Sequence, residues 1–265
     1  MNYIKLIGFL CIAILFGCAT KISSTNAISQ TELKILCYNI HHANPPSKVG
    51  LIDIDAIVRV IKDSKADIVG LQEVDKLTTR SGGIDEAKLI AEKTGMNYHF
   101  FKAIDHDGGE YGLAILSRYK LTDTKLTPLS QRIVAEKRIL SQATFKVNGQ
   151  RFIFANTHLD ATRTHENRNL QMQEILKHFE NVSSPVILCG DLNSVAGSEA
   201  INLLDKQFTR TCINDCPGTV PHDKPRRTID FIAVKNVSWP LLSYQVIAET
   251  YASDHRPITA TFKIN

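Results

Sequence analysis

Seven short polar motifs, each on or just after an apolar run, constrain this chain more than any other feature. In chain order they are Tyr38-Asn39-Ile40, Leu71-Gln72-Glu73-Val74, Glu110-Tyr111-Gly112, Asn156-Thr157-His158-Leu159, Gly190-Asp191-Leu192-Asn193, Thr228-Ile229-Asp230-Phe231 and Ser253-Asp254-His255-Arg256-Pro257. Buried strands cannot hold carboxylates, amides and imidazoles unless a partner satisfies them. Strand ends and the loops that follow them present such groups to solvent. The motifs therefore predict one site assembled from segments that are distant in sequence.

The apolar pattern predicts one α/β domain, residues 32–265, with mixed sheets. An apolar fraction of 43% in 265 residues is enough for a single large core. Early strands alternate with helices, whereas later strands follow one another through hairpins such as the one at Asn148-Gly149. Helices are predicted from Asp53, over Asp85–Thr94, over Thr164–Phe179 and from Ser198 to Leu204. Strands are predicted at Leu33–Ile40, Asp67–Val74, Tyr98–Ala103, Gly112–Ser117, Ser141–Val147, Phe152–His158, Val186–Cys189, Ile229–Val234 and Ile258–Phe262.

The first 31 residues are expected to lie outside this domain. The apolar run Leu6–Phe16 is too short to span a bilayer, which needs about 20 residues, and it is typical of a secretory signal at residues 1–17. The string Leu15-Phe16-Gly17-Cys18 resembles a bacterial lipobox, which predicts a lipid anchor on Cys18 and contact with a membrane. Ordinary signal-peptidase cleavage near Cys18 is the alternative. Residues 18–31 are expected to form a tether, and the protein to be exported, either periplasmic or anchored at the outer membrane.

The cysteines of the domain fall into two kinds. Cys37 and Cys189 lie within apolar strand patterns and are predicted to be small core residues. Cys212 and Cys216 flank three residues of a loop, and an exported chain meets an oxidising compartment, so a local disulfide is expected there. A zinc pair is the alternative, but no second Cys/His pair follows at finger-like spacing.

The charge of the chain is small. The formal net charge is +4, and loss of residues 1–17, with one Lys and no acid, leaves +3. Nucleic-acid-binding domains usually carry a basic patch or stripe, and no dense Lys/Arg run occurs here. Composition therefore favours an ordinary, weakly basic surface.

Three of the motifs together resemble those of the endonuclease/exonuclease/phosphatase superfamily: Leu71-Gln72-Glu73, Gly190-Asp191-Leu192-Asn193 and Ser253-Asp254-His255. That superfamily includes deoxyribonucleases, apurinic endonucleases, neutral sphingomyelinases and inositol-polyphosphate phosphatases, and the resemblance covers about Leu33 to Phe262. It implies an α/β four-layer sandwich, in which two face-packed mixed β-sheets are flanked by helices. It also implies hydrolysis of a phosphodiester or phosphomonoester by in-line attack of water, with Mg²⁺ or Mn²⁺ as cofactor.

The resemblance assigns an acidic metal pole. Glu73 is implied to be the principal metal ligand, with Asn39 beside it. Asp191, Asn193 and Asp254 are implied to complete the pole, either touching a metal or orienting the attacking water, and Asn193 to stabilise charge on the phosphate. Hard oxygen ligands suit Mg²⁺ or Mn²⁺, which keep several waters.

Two histidines are implied to flank this pole. His255 is expected to act as general base or phosphate donor, and Asp230 to orient it, because an imidazole needs a carboxylate to fix its tautomer. His158 is expected to contact the phosphate from the other side, as general acid or electrostatic clamp. In the deoxyribonuclease branch this histidine pairs with a glutamate, and Glu110 is the candidate for that role.

Further residues are expected to bind the substrate. Asn156 is implied to position the phosphate, and Arg138 matches a phosphate-contacting arginine of the family. Arg80, Arg226 and Arg227 either help to bind an anionic substrate or are solvated loop cations.

The substrate is expected to be a small, lipid-linked or glycan-linked phosphoester, and the protein a monomer. DNA-cleaving relatives commonly carry Arg or Lys two residues after the catalytic glutamate, whereas Asp75 stands there and is expected to repel a phosphate backbone. A secreted nuclease acting on DNA or RNA is the first alternative. A non-catalytic binding module on the same scaffold is the second, although the intact set of acidic and imidazole residues argues against it.

Overall fold

The computed structural model describes residues 32–264, which form twelve β-strands and four α-helices. The predicted signal segment, the tether and the Cys18 anchor lie outside the described residues. Among residues 32–264, the helices are all too short or too polar to cross a membrane.

The helices begin and end close to where their capping residues predict. They are α1 (Ile54–Ser64), α2 (Glu86–Thr94), α3 (Glu166–Phe179) and α4 (Glu199–Leu204). The carboxylate of Asp53 accepts a hydrogen bond from the backbone of the first turn of α1, and that of Asp85 does the same for α2. Gly95 ends α2 with φ of 71°, a left-handed conformation that glycine adopts readily. These two caps confirm the predicted helix starts, whereas α3 begins two residues later than predicted.

Two six-stranded sheets carry the site. The first contains β1 (Glu32–Asn39), β2 (Ile68–Lys76), β3 (Asn97–His106), β4 (Gly109–Ser117), β11 (Leu241–Val246) and β12 (Ile258–Lys263), in the order β11-β12-β1-β2-β4-β3. The second contains β5 (Thr122–Leu129), β6 (Arg138–Val147), β7 (Gln150–His158), β8 (Val186–Asp191), β9 (Thr209–Arg210) and β10 (Asp230–Lys235), in the order β5-β6-β7-β8-β10-β9. Each sheet has one central parallel pair, β1–β2 or β7–β8, among antiparallel neighbours. Both sheets are therefore mixed.

Three apolar layers hold the sandwich together. The central layer, with Ile35 and Phe154 among its members, lies between the two sheets. The first outer layer packs Ile57 of α1 against the first sheet, and the second packs Ile175 of α3 against the other sheet. Helices thus cover the outer face of each sheet, and the four-layer α/β sandwich expected from the resemblance is confirmed.

The strands that the apolar pattern missed are β5, β9 and β11. All three lie at sheet edges, and β5 and β11 are largely exposed. Edge strands show weak apolar alternation because one side meets solvent, and Pro128 in β5 is of the kind tolerated only at an edge. The β6–β7 hairpin was predicted correctly: Asn148 and Gly149 both have positive φ, 50° and 81°, as a tight two-residue hairpin turn requires.

The cysteines are arranged as predicted. Cys212 and Cys216 form a disulfide, with 2.13 Å between the two sulfurs, whereas Cys37 and Cys189 are free and buried. The bridge closes a short surface loop rather than linking two layers of the sandwich.

We predict that this disulfide contributes little to global stability. A loop of five residues gives at most about 2 kcal/mol of entropic stabilisation. The double variant Cys212→Ser/Cys216→Ser should therefore fold and unfold cooperatively, with a lowering of Tm of a few degrees. Intact-mass analysis of the wild-type protein should show two hydrogens fewer than the reduced chain, and free thiols at both positions would contradict the bridge.

Candidate active site

The strand directions bring the polar motifs to one edge of the sandwich. The carboxyl ends of the two parallel pairs lie at this edge, and so do the amino ends of the antiparallel strands β10 and β12. In the second sheet His158 is the register partner of Asp191, which in turn pairs with Asp230. A cavity of about 340 Å³ opens here. Its lining includes six of the predicted site residues: Glu73, Arg138, His158, Asp191, Asn193 and His255.

A β-bulge aims Glu73 at this cavity. The register between β2 and β4 shifts between Leu71 and Val74, and Glu73 has φ of 57°, which is unusual for a residue with a side chain. In a regular strand the side chains of residues 72 and 73 would point to opposite faces of the sheet. The bulge interrupts this alternation, so that Glu73 lines the pocket while Gln72 lies fully buried between the sheets.

Asn39 connects the carboxylates of the two sheets. Its Nδ2 donates to Oε1 of Glu73 at 2.9 Å and to Oδ2 of Asp191 at 3.2 Å, and its Oδ1 accepts from the backbone N–H of His41 at 3.1 Å. Burial, with a further contribution from Asp254, raises the pKa of Glu73. Burial also raises the pKa of Asp191 to about 7. Carboxylates of both sheets therefore meet at this pole.

The residues of the pole fit a hard divalent cation. Asn39 joins the carboxylates of Glu73 and Asp191, both of which line the pocket, and the charge of Asp254 acts on Glu73 as well. Oxygen-rich sites of this kind suit Mg²⁺ or Mn²⁺. Asn39 lies beside Glu73, as expected, and its amide nitrogen bridges the carboxylates of Glu73 and Asp191.

His255 is held by two carboxylates. Its Nδ1 lies 3.0 Å from Oδ2 of Asp230, and its Nε2 lies 3.6 Å from Oδ2 of Asp191. Burial alone would lower the pKa of His255, but the charges of Asp230 and then Asp191 outweigh it and raise the pKa to about 10. The expected Asp230–His255 pairing is therefore present, and the imidazole is protonated at neutral pH. Ligand atoms of the three residues lie within 4.8 Å of one another, and these ion pairs account for that proximity.

His158 has the opposite protonation state. Nη1 of Arg138 lies 3.1 Å from its Nδ1, so this nitrogen must accept the hydrogen bond and Nε2 must carry the proton, 3.4 Å from Oδ2 of Asp191. Burial, then the charge of Arg138, holds the pKa of His158 well below its usual range. Arg138 is itself paired with Glu136 at 2.8 Å. His158 is thus a neutral donor, which fits the electrostatic clamp better than the general acid.

Glu110 does not contact His158, contrary to expectation. Its carboxylate pairs with Lys76 at 3.0 Å and with Lys102 at 3.3 Å on the surface of the β2–β4–β3 region. Lys76, then Lys102, lowers the pKa of Glu110. Besides Glu73, the glutamate that lines the pocket is Glu136, which pairs with Arg138. The only sequence signal for it was its position two residues before that arginine, which is too common a spacing to be informative.

Asn156 also has a different role from the one expected. It is fully buried, and its Nδ2 donates to the backbone oxygens of Leu71 at 2.8 Å and Ala114 at 3.1 Å, while its Oδ1 accepts from Gln72 at 2.6 Å. Both ends of the amide are therefore occupied beneath the pocket. Asn156 ties the two sheets together and does not reach a phosphate.

Asn193 shapes the loop after β8. Its φ is 46°, its backbone N–H donates to Oδ1 of Asp191 at 2.9 Å, and its Nδ2 donates to the backbone oxygen of Leu159 at 3.0 Å. These bonds orient the carboxylate of Asp191 and keep Asn193 at the pocket wall, where substrate contact stays possible through its remaining acceptor.

Asp75 does not face the pocket as a repulsive charge. Its side chain is fully buried, and both its oxygens accept hydrogen bonds from Arg80, at 2.7 and 2.8 Å. Arg80 in turn lines the pocket. The expectation that Asp75 repels a phosphate backbone is therefore wrong, since its charge is neutralised within the fold.

We predict that Glu110 and His158 act independently. Glu110 is not part of the pocket lining, and exposed ion pairs such as its own contribute only about 0.2–1 kcal/mol. Glu110→Gln should therefore change kcat/KM by less than about fivefold, the factor that corresponds to 1 kcal/mol, on any phosphoester that the protein hydrolyses. His158→Ala should lose about 10²-fold or more, and the double variant should equal the product of the two effects. A strongly non-additive double variant would return Glu110 to the site.

We predict that Glu86, beneath Asp75, makes stability depend on pH. Glu86 is fully buried and its Oε2 accepts the backbone N–H of Asp75 at 2.8 Å; burial, with a further contribution from Asp75, raises its pKa from 4.5 to about 8. Because the folded-state pKa is raised, its stabilisation is complete below about pH 4.5 and is lost as pH rises through 8. Tm measured from pH 5 to 9 should therefore fall less for Glu86→Gln than for the wild type. The exposed Glu92→Gln on the same helix is the control, and equal slopes in all three proteins would contradict an uncharged Glu86.

Solved structures resemble this chain across most of its length. An endonuclease/exonuclease/phosphatase from Beutenbergia cavernae aligns with a TM-score of 0.75 and 20% identity, covering 89% of this chain and 72% of that one. A mannosyl-6-phosphatase from Bacteroides thetaiotaomicron gives 0.69 and 20%, covering 86% and 98%. The human Nocturnin catalytic domain gives 0.70 and 20%, covering 89% and 94%. These likenesses establish the fold.

The sequence itself identifies the family. No curated protein shows a significant sequence match to this chain. The model of the Endonuclease/Exonuclease/phosphatase family, however, matches residues 36–255, which span β1 to the histidine before β12. This range contains every motif that forms the pocket. The chain therefore belongs to the endonuclease/exonuclease/phosphatase family of phosphoester hydrolases.

Proposed function

We propose that this chain is an exported, Mg²⁺- or Mn²⁺-dependent hydrolase of a small phosphoester, or of one linked to a lipid or glycan. The observation that carries the proposal is the meeting of three elements in one pocket: the carboxylate pole at Glu73, the protonated His255–Asp230 pair, and the Arg138–His158 pair. An anion receptor placed beside a carboxylate cluster is the arrangement that phosphoryl transfer needs. Export and the Cys18 anchor rest on the sequence of residues 1–18.

The chain's own groups suit attack of water on a phosphate. Protonated His255 and neutral His158 both present N–H groups near Asp191, and Arg138 adds a fixed positive charge. These donors stabilise negative charge that grows on the phosphoryl oxygens. Asp191 lies between the histidines and can accept a hydrogen bond from the attacking water. A divalent cation at Glu73 and Asp254 would supply Lewis-acid polarisation and charge neutralisation when bound.

The charges around His255 favour one of the two roles left open for it. A general base must be unprotonated before it accepts a proton, whereas Asp230 and Asp191 keep His255 protonated. His255 therefore serves best as a phosphate donor, and Asp191 is the group placed to orient water. His158, similarly, serves as a hydrogen-bond donor.

The shape of the pocket favours a small ester. A concave site of about 340 Å³ is at the lower end of the range for small-molecule sites. The net charge of +3 for residues 18–265 gives no support for tracking a nucleic acid. One structural neighbour is named as a mannosyl-6-phosphatase, which is compatible with a sugar phosphate but, at 20% identity, does not choose among substrates.

The metal requirement gives the most direct test. Activity on a panel of phosphate monoesters and diesters, including sugar phosphates, inositol phosphates, sphingomyelin, RNA and plasmid DNA, should vanish with EDTA and return with Mg²⁺ or Mn²⁺. Full activity in metal-free buffer would sink the proposal. If plasmid DNA is the best substrate at physiological salt, the nuclease alternative takes first place. If none of the panel is hydrolysed with either metal, the binding-module alternative does.

We predict that Glu73→Ala lowers kcat by about 10²-fold or more, the scale expected for loss of a main electrostatic stabiliser. Glu73→Gln should be nearly as impaired, because an amide keeps the size but not the charge that holds a cation. The matched control is Glu92→Ala, a surface carboxylate on α2 with 57% side-chain exposure. Equal kcat for Glu73→Ala and the control would remove Glu73 from the chemistry.

A further inference from the structure

The loop between β2 and α2 holds one arginine rigidly at the pocket. Nε and Nη2 of Arg80 bind the two carboxylate oxygens of Asp75 at 2.7 and 2.8 Å. Thr78 and Ser81 donate to the same carboxylate at 2.7 and 2.6 Å, so that Asp75 receives four hydrogen bonds while fully buried. A bidentate arginine–carboxylate contact fixes the plane of the guanidinium as well as its position. Arg80 is therefore preorganised, unlike a solvated loop cation.

The other edge of this guanidinium is free to meet a ligand. The side chain of Arg80 is 34% exposed and lines the pocket. Within residues 32–264 its guanidinium donates hydrogen bonds from Nε and Nη2, which leaves Nη1 for a ligand. Its Cζ lies 5.5 Å from the centre of the Tyr111 ring. Tyr111 also borders a small void with Arg138 and His158. Tyr111 thus borders both Arg80 and the Arg138–His158 pair.

The reacting phosphate does not need Arg80. Its proposed donors are Arg138, His158 and His255, all supplied by strands β6 and β7 and by the segment before β12. Arg80 comes from a separate loop, so it is available to the organic group that the phosphate esterifies.

The charge balance of the loop indicates what kind of group this is. Arg80 and Asp75 form a neutral pair, so the wall offers directed N–H donors without a net positive charge. Asp75 is fully buried, so its charge cancels that of Arg80 more completely than the 40% exposed, solvent-screened Glu136 cancels that of Arg138. A second phosphate would therefore gain less beside Arg80 than the reacting phosphate gains beside Arg138. It would also lie close to the carboxylates of Glu73 and Glu136, which line the same pocket. Hydroxyl oxygens accept hydrogen bonds from such a donor without bringing charge.

We propose that Arg80 is a specificity-determining residue that donates hydrogen bonds to hydroxyl groups of the esterified alcohol, such as a sugar or another polyol, and that Asp75 is its positioning residue. This inference rests on the proposed function and specifies its substrate class. It assigns recognition to the loop that precedes α2 and leaves the chemistry to the strand ends.

Steady-state kinetics with three esters test the assignment, with Mg²⁺ present throughout. The esters are phenyl phosphate, which lacks hydroxyls, a hexose 6-phosphate, and the corresponding hexose bisphosphate. In Arg80→Ala, KM for the hexose 6-phosphate should rise about tenfold or more relative to KM for phenyl phosphate, the scale of losing a charge-assisted hydrogen bond. Arg80→Lys should not restore it, because an ammonium cannot make the bidentate contact. Arg118→Ala, which removes a half-exposed arginine paired with Asp67, is the matched control.

Other results overturn the proposal. An equal fall in kcat on all three esters would place Arg80 on the reacting phosphate. A rise in KM confined to the bisphosphate would assign the loop to a second anion. Calorimetric binding of the hexose 6-phosphate separates this proposal from the proposed function, since it needs no turnover. Unchanged affinity in Arg80→Ala refutes the role of Arg80 even if the enzyme hydrolyses phosphoesters, and weakened affinity supports it even if no turnover is found.

Asp75→Asn tests the positioning role. The variant keeps a hydrogen-bond acceptor but loses the charge that holds the guanidinium. KM for the hexose 6-phosphate should therefore rise, as in Arg80→Ala. The change in kcat on phenyl phosphate should be smaller than this change in KM. Because Asp75 is buried, thermal unfolding must first show that the variant folds. If it does not fold, Ser81→Ala removes one of the bonds to Asp75, and KM should shift in the same direction. No shift in a folded variant would exclude positioning through Asp75.

Discussion

The hydrogen bonds of one buried amide, Asn156, determine how closely the two sheets meet beneath the pocket. Asn156 belongs to the second sheet, donates to two backbone oxygens of the first, and accepts from Gln72 at 2.6 Å. Gly70 allows this approach, because a Cβ there would lie 2.3 Å from the sulfur of Cys189. An unpaired amide in this layer would be costly, so the contact fixes the sheets in one relative position. That position lets Asn39 of β1 join carboxylates of both sheets.

Within this frame, neighbouring charges give two histidines opposite states. His255 lies between two carboxylates, which raise its pKa to about 10. His158 lies against Arg138, and burial together with that cation keeps it neutral. Asp191 faces the Nε2 atoms of both. The pocket thus presents one charged and one neutral donor from a single residue type, and the difference arises from partners rather than from the imidazoles themselves.

The sequence predicted two kinds of feature correctly: those that follow local rules, such as helix caps, and those at strand ends that meet at one edge of the sandwich. Asp53 and Asp85 cap the helices as predicted, and the Asp230–His255 pair could be expected because a buried imidazole beside a carboxylate fixes its tautomer. Glu110 was misplaced because its neighbour Tyr111 takes the pocket side of β4, and alternation sends Glu110 to the other face. Asn156 lies on the same face of β7 as His158, but two residues deeper, beneath the pocket. Depth below a pocket depends on how the two sheets pack, which motif spacing does not give.

Asp75 shows why a charged residue in the sequence does not by itself determine the electrostatic potential in a pocket. Its position two residues after Glu73 suggested repulsion of a phosphate backbone, yet the strand buries it completely. A buried carboxylate must be paired, and the following loop supplies Arg80, Thr78 and Ser81 for that purpose. The effect on the pocket is therefore that of a positioned donor rather than of an anion. The loop around Arg80 forms one unit, in which Asp75 fixes the guanidinium of Arg80. The proposed contribution of Arg80 to substrate choice follows from the geometry of this pair rather than from the sign of either charge.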